Sequence, residues 1–213
     1  MGTVRALMFD FNGTLSHDEP LLLAIYQQLF ARHGRPLTGE QYYRRLAGLS
    51  EEAIIGGWLG VDGPLLASLV AERVERYAVE AADGATVTEP QREAVRYAAA
   101  RVPVAIVSGA FRAEIVPVVE AAGIAGNVTT IVAADDVEHG KPHPEGYLCA
   151  LERLGVDPPD AVAFEDTEAG VASAKAAGVR CLAVRGTLPD ERLAAADELV
   201  DRLDVALVRR LVG

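Results

Sequence analysis

Five short runs of apolar or β-branched residues recur along the chain: VRALMF at 4–9, VPVAIV at 102–107, TTIVAA at 129–134, AVAF at 161–164 and RCLAV at 180–184. Runs of this length without polar alternation fit strands buried on both faces, as a parallel sheet covered by helices requires. Between them, apolar positions fall at helical spacing over Glu114–Ala122, Pro144–Leu154 and Gly170–Ala177, mostly ending near a glycine. This alternation predicts an α/β fold, a parallel sheet with helices on both faces.

Residues 16–88 break the rhythm. They carry helical patterns over Pro20–His33, Gly39–Leu46, Glu51–Trp58 and Pro64–Ala82, and no convincing strand. The expected organisation is a core of residues 1–15 and 89–213 with a helical cap, 16–88, inserted after the first strand. Its hinges would be the loops Ser16–Asp18 and Asp83–Glu89, the second of turn-forming composition.

Ligands of such sheets collect beyond the carboxyl ends of the strands. Those ends carry Asp10, Ser108, Asp135 with Asp136, and Glu165 with Asp166. In DFNGT, Asp10 is a candidate nucleophile, because a carboxylate at a strand end before a tight turn can meet an electrophile in line; alone, it equally fits a turn aspartate. In IVSGA, the Ser108 hydroxyl and the Gly109 amide suit phosphate oxygens, although a Ser-Gly loop also fits a plain connection. FEDTEAG offers Glu165 and Asp166 as oxygen ligands for a hard cation such as Mg²⁺, against the reading of two solvated acids.

Composition sharpens one residue and removes several function classes. Of 20 basic residues only Lys141 and Lys175 are lysines. Lys141, set between glycine and proline in HGKPHPEGY, therefore reads as a chosen point charge that balances a carboxylate and an entering anion; Lys175 reads as structural. A net charge of -11 and a pI near 4.8 argue against nucleic acid and anionic membranes. No apolar stretch approaches the roughly 20 residues that span a bilayer. Cys149 and Cys181 lack CxxC spacing and no secretory leader is evident, so a soluble, cytoplasmic protein is expected.

Together, DFNGTL, VSGA, GKPHPEGY and FEDTEAGVASAKAAG resemble the haloacid dehalogenase-like hydrolase superfamily, in the helical-cap subgroup that includes β-phosphoglucomutase and small-molecule phosphatases. The motifs keep the family's order and spacing over nearly the whole chain. The resemblance implies a Rossmann-like core and Mg²⁺-dependent phosphoryl transfer to Asp10, with Ser108 and Lys141 holding phosphate. The metal ligands it implies are Asp10, the main-chain carbonyl of Asn12, Glu165 and Asp166. The cap would close over the site, exclude water and select the substrate, a small phosphorylated metabolite.

Asn12 departs from that pattern. The family's phosphatases carry a second aspartate there, which protonates the leaving oxygen and then activates water; an amide does neither. Proton transfer of this kind is typically worth about 10²–10⁴ in rate. Either the leaving group needs little protonation, or another base such as His17 serves, or Asn12-Gly13 deamidates to an acid, or the asparagine was introduced to trap a complex. A phosphate-binding pseudoenzyme without turnover remains the non-enzyme alternative. A haloacid-type hydrolase also lacks this acid but needs no metal, and a phosphonate-cleaving enzyme would need a cap lysine, which residues 16–88 lack.

For specificity, the segment YYRRLAGLSEEAI nominates Arg44, Arg45 and the Gly48 turn, with solvated helix arginines as the competing reading. Tyr42, Tyr43 and Trp58 are expected to pack the cap. His143 either lines the entrance or faces solvent. The C-terminal VALVRRLVG reads as a last core helix or a dimer contact, so both monomer and homodimer stay open.

Overall fold

The computed structural model describes residues 3–213. Six parallel strands form one sheet: β1 (Ala6–Phe9), β2 (Val104–Val107), β3 (Thr130–Val132), β4 (Ala161–Glu165), β5 (Arg180–Val184) and β6 (Glu198–Val200), in the order β3-β2-β1-β4-β5-β6. All five runs singled out in the sequence are strands. Every residue of β1 and β2 is buried, which explains the missing alternation: helices cover both faces of the sheet.

Helices α1 (Glu19–Arg32), α2 (Gly39–Arg45), α3 (Glu51–Leu59) and α4 (Gly63–Glu80) follow β1 and form the inserted cap. The remaining helices, α5 (Glu89–Ala99), α6 (Arg112–Ala121), α7 (Glu145–Leu154), α8 (Glu168–Ala176) and α9 (Val205–Val212), belong to the Rossmann-like layer arrangement. Strand β6, of three residues, and helix α5 go beyond the periodicity reading. The C-terminal segment is a helix that packs on α5, with Leu207 and Val208 buried. Among the described residues no helix is long and apolar enough to cross a membrane. Cys149 and Cys181 are free thiols.

Sequence order runs outward from β1 in one direction through β2 and β3, then resumes on its other side with β4, β5 and β6. That reversal opens a crevice beyond the ends of β1 and β4. Register fixes what stands there: Phe9 pairs with Phe164, and their rings stack 4.9 Å apart, adding about 0.5–1.5 kcal/mol to their burial. The next residues, Asp10 and Glu165, consequently emerge side by side.

Candidate active site

Asp10 is fixed by its own backbone, whose N–H donates to the Phe164 carbonyl at 2.9 Å. Its carboxylate receives Lys141 Nζ at 2.5 Å. The same ammonium donates to the Val107 carbonyl at 2.9 Å and pairs with Glu165 Oε1 at 2.6 Å. Burial favours the neutral amine, but the Asp10 and Glu165 charges outweigh it and hold the lysine above its ordinary pKa.

Three buried carboxylates, Asp10, Glu165 and Asp166, cluster here, and the first two pair with this ammonium. Burial pushes the Asp10 carboxyl up, only partly offset by Lys141. Burial likewise raises Glu165 to about 7, with Lys141 opposing and Asp10 assisting. Asp166 is pushed well above its ordinary value, first by burial and then by the Asp10 and Glu165 charges. Ligand oxygens of Asp10, Glu165 and Asp166 lie within 4.8 Å of one another, while Glu165 Oε2 and Asp166 Oδ2 are buried without any hydrogen-bond partner. An excess of negative charge and two orphaned buried oxygens fit a hard divalent cation, which prefers such ligands.

Two glycines make room for these acids. A Cβ on Gly170 would fall 1.8 Å from Glu165 Oε2, and one on Gly13 would fall 1.9 Å from Asp166 Oδ2. Gly13 also has φ +73°, which side chains other than glycine rarely adopt. Thr14 Oγ1 donates to the other Asp166 oxygen at 3.3 Å, and the Tyr147 hydroxyl donates to Glu165 Oε1 at 2.6 Å. Glu165 is thereby turned toward Lys141 and Tyr147, and Asp166 toward the β1 loop.

Ser108 and Gly109 close the second side, with Ser108 N–H bonded to the Val132 carbonyl at 2.9 Å. Both line a cavity of about 510 Å³ together with Asp10, Asn12, Lys141 and Asp166. The sequence-derived residues thus converge, including Gly48 from the cap. Arg45 does not: it is exposed, and the cap wall is built by Gly48, Leu49 and Ser50 instead. Arg44 is likewise exposed. His17 does not line the cavity, whereas His139, unremarked in the sequence, does. His143 is exposed. Asp135 accepts from the Arg112 backbone N–H at 2.9 Å and Asp136 pairs with the Arg112 guanidinium at 2.5 Å, so these acids secure the start of α6.

Several residues of the cavity region carry no local signal. Asp18 precedes a helix and reads as an N-cap, yet its side chain makes no capping bond. It accepts instead from Asn12 Nδ2 at 2.8 Å, from the Gly13 N–H at 3.2 Å and from the Tyr77 hydroxyl. Arg73, from an ordinary stretch of α4, is buried and joined by its two terminal nitrogens to Glu51 of the cap and Glu114 of the core helix α6. Tyr26 O–H donates to Glu51 at 2.5 Å and Tyr42 O–H to Glu19 at 2.9 Å. Glu19, Tyr26, Tyr42, Glu51 and Arg73 line the same cavity from the cap side.

Residues 4–178 match the family model for haloacid dehalogenase-like hydrolases. The chain is 31% identical over 201 residues to the validoxylamine A 7'-phosphate phosphatase of Streptomyces hygroscopicus, covering 93% of this chain and 94% of that protein. It is 31% identical over 182 residues to the phosphorylated carbohydrates phosphatase of Thermotoga maritima, covering 83% and 82%. Among solved structures, CbbY from Rhodobacter sphaeroides, a variant complexed with xylulose-(1,5)bisphosphate, superposes with a TM-score of 0.83 at 28% identity, covering 94% of this chain and 95% of that one.

Proposed function

The chain belongs to the haloacid dehalogenase-like hydrolases, and from that membership we propose that it is a Mg²⁺-dependent phosphatase of hydroxyl-rich monophosphate esters, acting through an aspartyl phosphate on Asp10. The observation that carries this reading is the Asp10 carboxylate held 2.5 Å from Lys141 Nζ, beside two buried carboxylate oxygens without partners. In this reading residues 16–88 act as the cap over a core of 1–15 and 89–213.

Asp10 attacks phosphorus, the bond to the ester oxygen breaks, and the leaving oxygen takes its proton from water, since Asn12 has none to give. Water then attacks the acyl phosphate, releasing inorganic phosphate and restoring the carboxylate. Lys141 and the Ser108-Gly109 loop hold the phosphoryl oxygens throughout. Mg²⁺ on Asp10, the Asn12 carbonyl, Glu165 and Asp166 would neutralise charge on the transferring group. Without an acid at position 12, both proton-dependent steps slow, so the acyl phosphate persists.

Substrate class follows from the cap side of the cavity. Glu19 and Glu51 line it with acceptor oxygens, and the guanidinium of Arg73 is already engaged by Glu51 and Glu114. Such a wall suits donors such as sugar or cyclitol hydroxyls better than a second phosphate. Relatives described as phosphatases of phosphorylated carbohydrates and of validoxylamine A 7'-phosphate support this choice.

The test is phosphate release from a panel of sugar monophosphates and bisphosphates, with Mg²⁺ or with chelator, for the protein and for Asp10→Asn. Release should require Mg²⁺, favour monophosphates and vanish in the variant, and intact mass should show one added phosphoryl group during turnover. Metal-dependent release that survives Asp10→Asn would overturn the proposal.

A further inference from the structure

Histidine occurs four times in the chain, and two of those residues, His139 and His143, bracket Lys141 in the loop before α7. Their rings lie 4.7 Å apart and tilted by 37°. His139 Nδ1 is 3.0 Å and His143 Nδ1 3.7 Å from one oxygen, Glu145 Oε2. One ligand atom from each of the three lies within 4.8 Å of the others. Catalysis as described above uses none of them.

We infer that His139, His143 and Glu145 form a second metal site, for a borderline transition-metal ion of the Zn²⁺ type, at the rim of the active-site cavity. Ligand type separates it from the buried carboxylates: imidazole nitrogen suits Zn²⁺, Co²⁺ and Ni²⁺, whereas Mg²⁺ takes oxygen. Tetrahedral coordination with bonds of about 2.0–2.1 Å puts ligand atoms about 3.3 Å apart, and the two distances to Glu145 bracket that spacing. Only small ring movements are needed, and both histidine side chains are more than half exposed.

The carboxylate is already placed. Glu145 accepts from the N–H of Glu138 at 2.7 Å and of His139 at 3.0 Å. Pro142 and Pro144 on either side of His143 fix φ at two positions, so little backbone freedom is lost when an ion binds. Water would complete the coordination from the open side. An ion held there would tie both ends of the segment that delivers Lys141 to Asp10.

Equilibrium dialysis of the full chain against Zn²⁺, with Mg²⁺ in large excess to occupy the carboxylate cluster, tests the site. The protein should retain one equivalent of zinc more than His139→Gln/His143→Gln, and zinc should raise its Tm while leaving the variant unmoved. His143→Gln alone should weaken binding by on the order of tenfold or more. Equal zinc content in protein and double variant would overturn the inference. So would zinc lost on Asp166→Asn but retained by the double variant, since the ion would then reside on the carboxylates.

Discussion

Asn12 Nδ2 donates to Asp18 Oδ2 at 2.8 Å, joining the loop after β1 to the first hinge of the cap. Asp18 is fully buried and also accepts from the Gly13 N–H and the Tyr77 hydroxyl. Burial raises its carboxyl to about 6, against those bonds, so it is largely ionised at neutral pH and needs donors around it. An amide at position 12 is such a donor; a carboxylate there would meet the buried Asp18 as a like charge. The amide at position 12 is thus matched to an acid in the hinge.

Asn12→Asp should therefore have two opposed effects. Turnover should rise, within the range of about 10²–10⁴ that a positioned acid-base group supplies. Stability at pH 8 should fall by about 1–3 kcal/mol, because two carboxylates then share one site. Adding Asp18→Asn should restore stability and keep the gain in rate. Denaturant unfolding and phosphate release on both variants check this; an Asn12→Asp protein as stable as the parent would refute the coupling.

Gly170→Ala tests the seat of Glu165. The new methyl would sit 1.8 Å from Glu165 Oε2, so the carboxylate must swing off Lys141 and Tyr147 or α8 must shift. Loss of Mg²⁺-dependent turnover by at least about tenfold is expected, with a destabilisation of about 1–3 kcal/mol from overpacking. Calorimetric Mg²⁺ binding should weaken in parallel, and unchanged affinity would show that Glu165 has no part in holding the ion.

Sequence made the sheet and the polar residues at its strand ends legible because each depends on local signals: an apolar run, then Asp10, Ser108 or Glu165 at its end. The same holds for Lys141, which stood out through the scarcity of lysine. Asp18 and Arg73 escaped for a physical reason. Asp18 occupies a helix start and mimics a capping residue, while its partner Tyr77 lies 59 positions away. Arg73 sits in a helix rich in charged residues, and only folding brings Glu114, 41 positions on, against it. Arg45 misled in the opposite sense: charge next to a loop suggested a binding group, but the helix turns it to solvent.

Glu19 should make stability fall as pH rises. Burial first, then the Asp18, Asp10 and Glu51 charges, raise its carboxyl from 4.5 to about 7, with the Tyr42 hydroxyl opposing. Between those values the native state holds a proton that the unfolded chain has released, so the stabilisation present below pH 4.5 is lost through pH 7. Glu19→Gln keeps an acceptor for Tyr42 and removes the charge. Its Tm should match the parent near pH 4.5 and exceed it above pH 7, by up to about 3 kcal/mol in stability. Parallel stability-pH curves for the two proteins would contradict this origin.

Arg73 bridges cap and core, and its loss should be felt more than that of its partner. It is buried between Glu51 and Glu114 and cannot shed its charge. Glu114, raised to about 7 mainly by burial despite Arg73, can take a proton instead. Glu114→Gln leaves Arg73 paired with Glu51, whereas Arg73→Met strands two carboxylates. At pH 8 Arg73→Met should therefore cost about 3–5 kcal/mol and Glu114→Gln distinctly less. The Arg73→Met penalty should shrink toward pH 5, where the stranded Glu114 is protonated, and adding Glu114→Gln should remove part of it at pH 8. Urea unfolding of the three variants at both pH values measures each term. A penalty independent of pH would mean that Arg73 acts through packing on Tyr26 and Tyr77 and not through its charge.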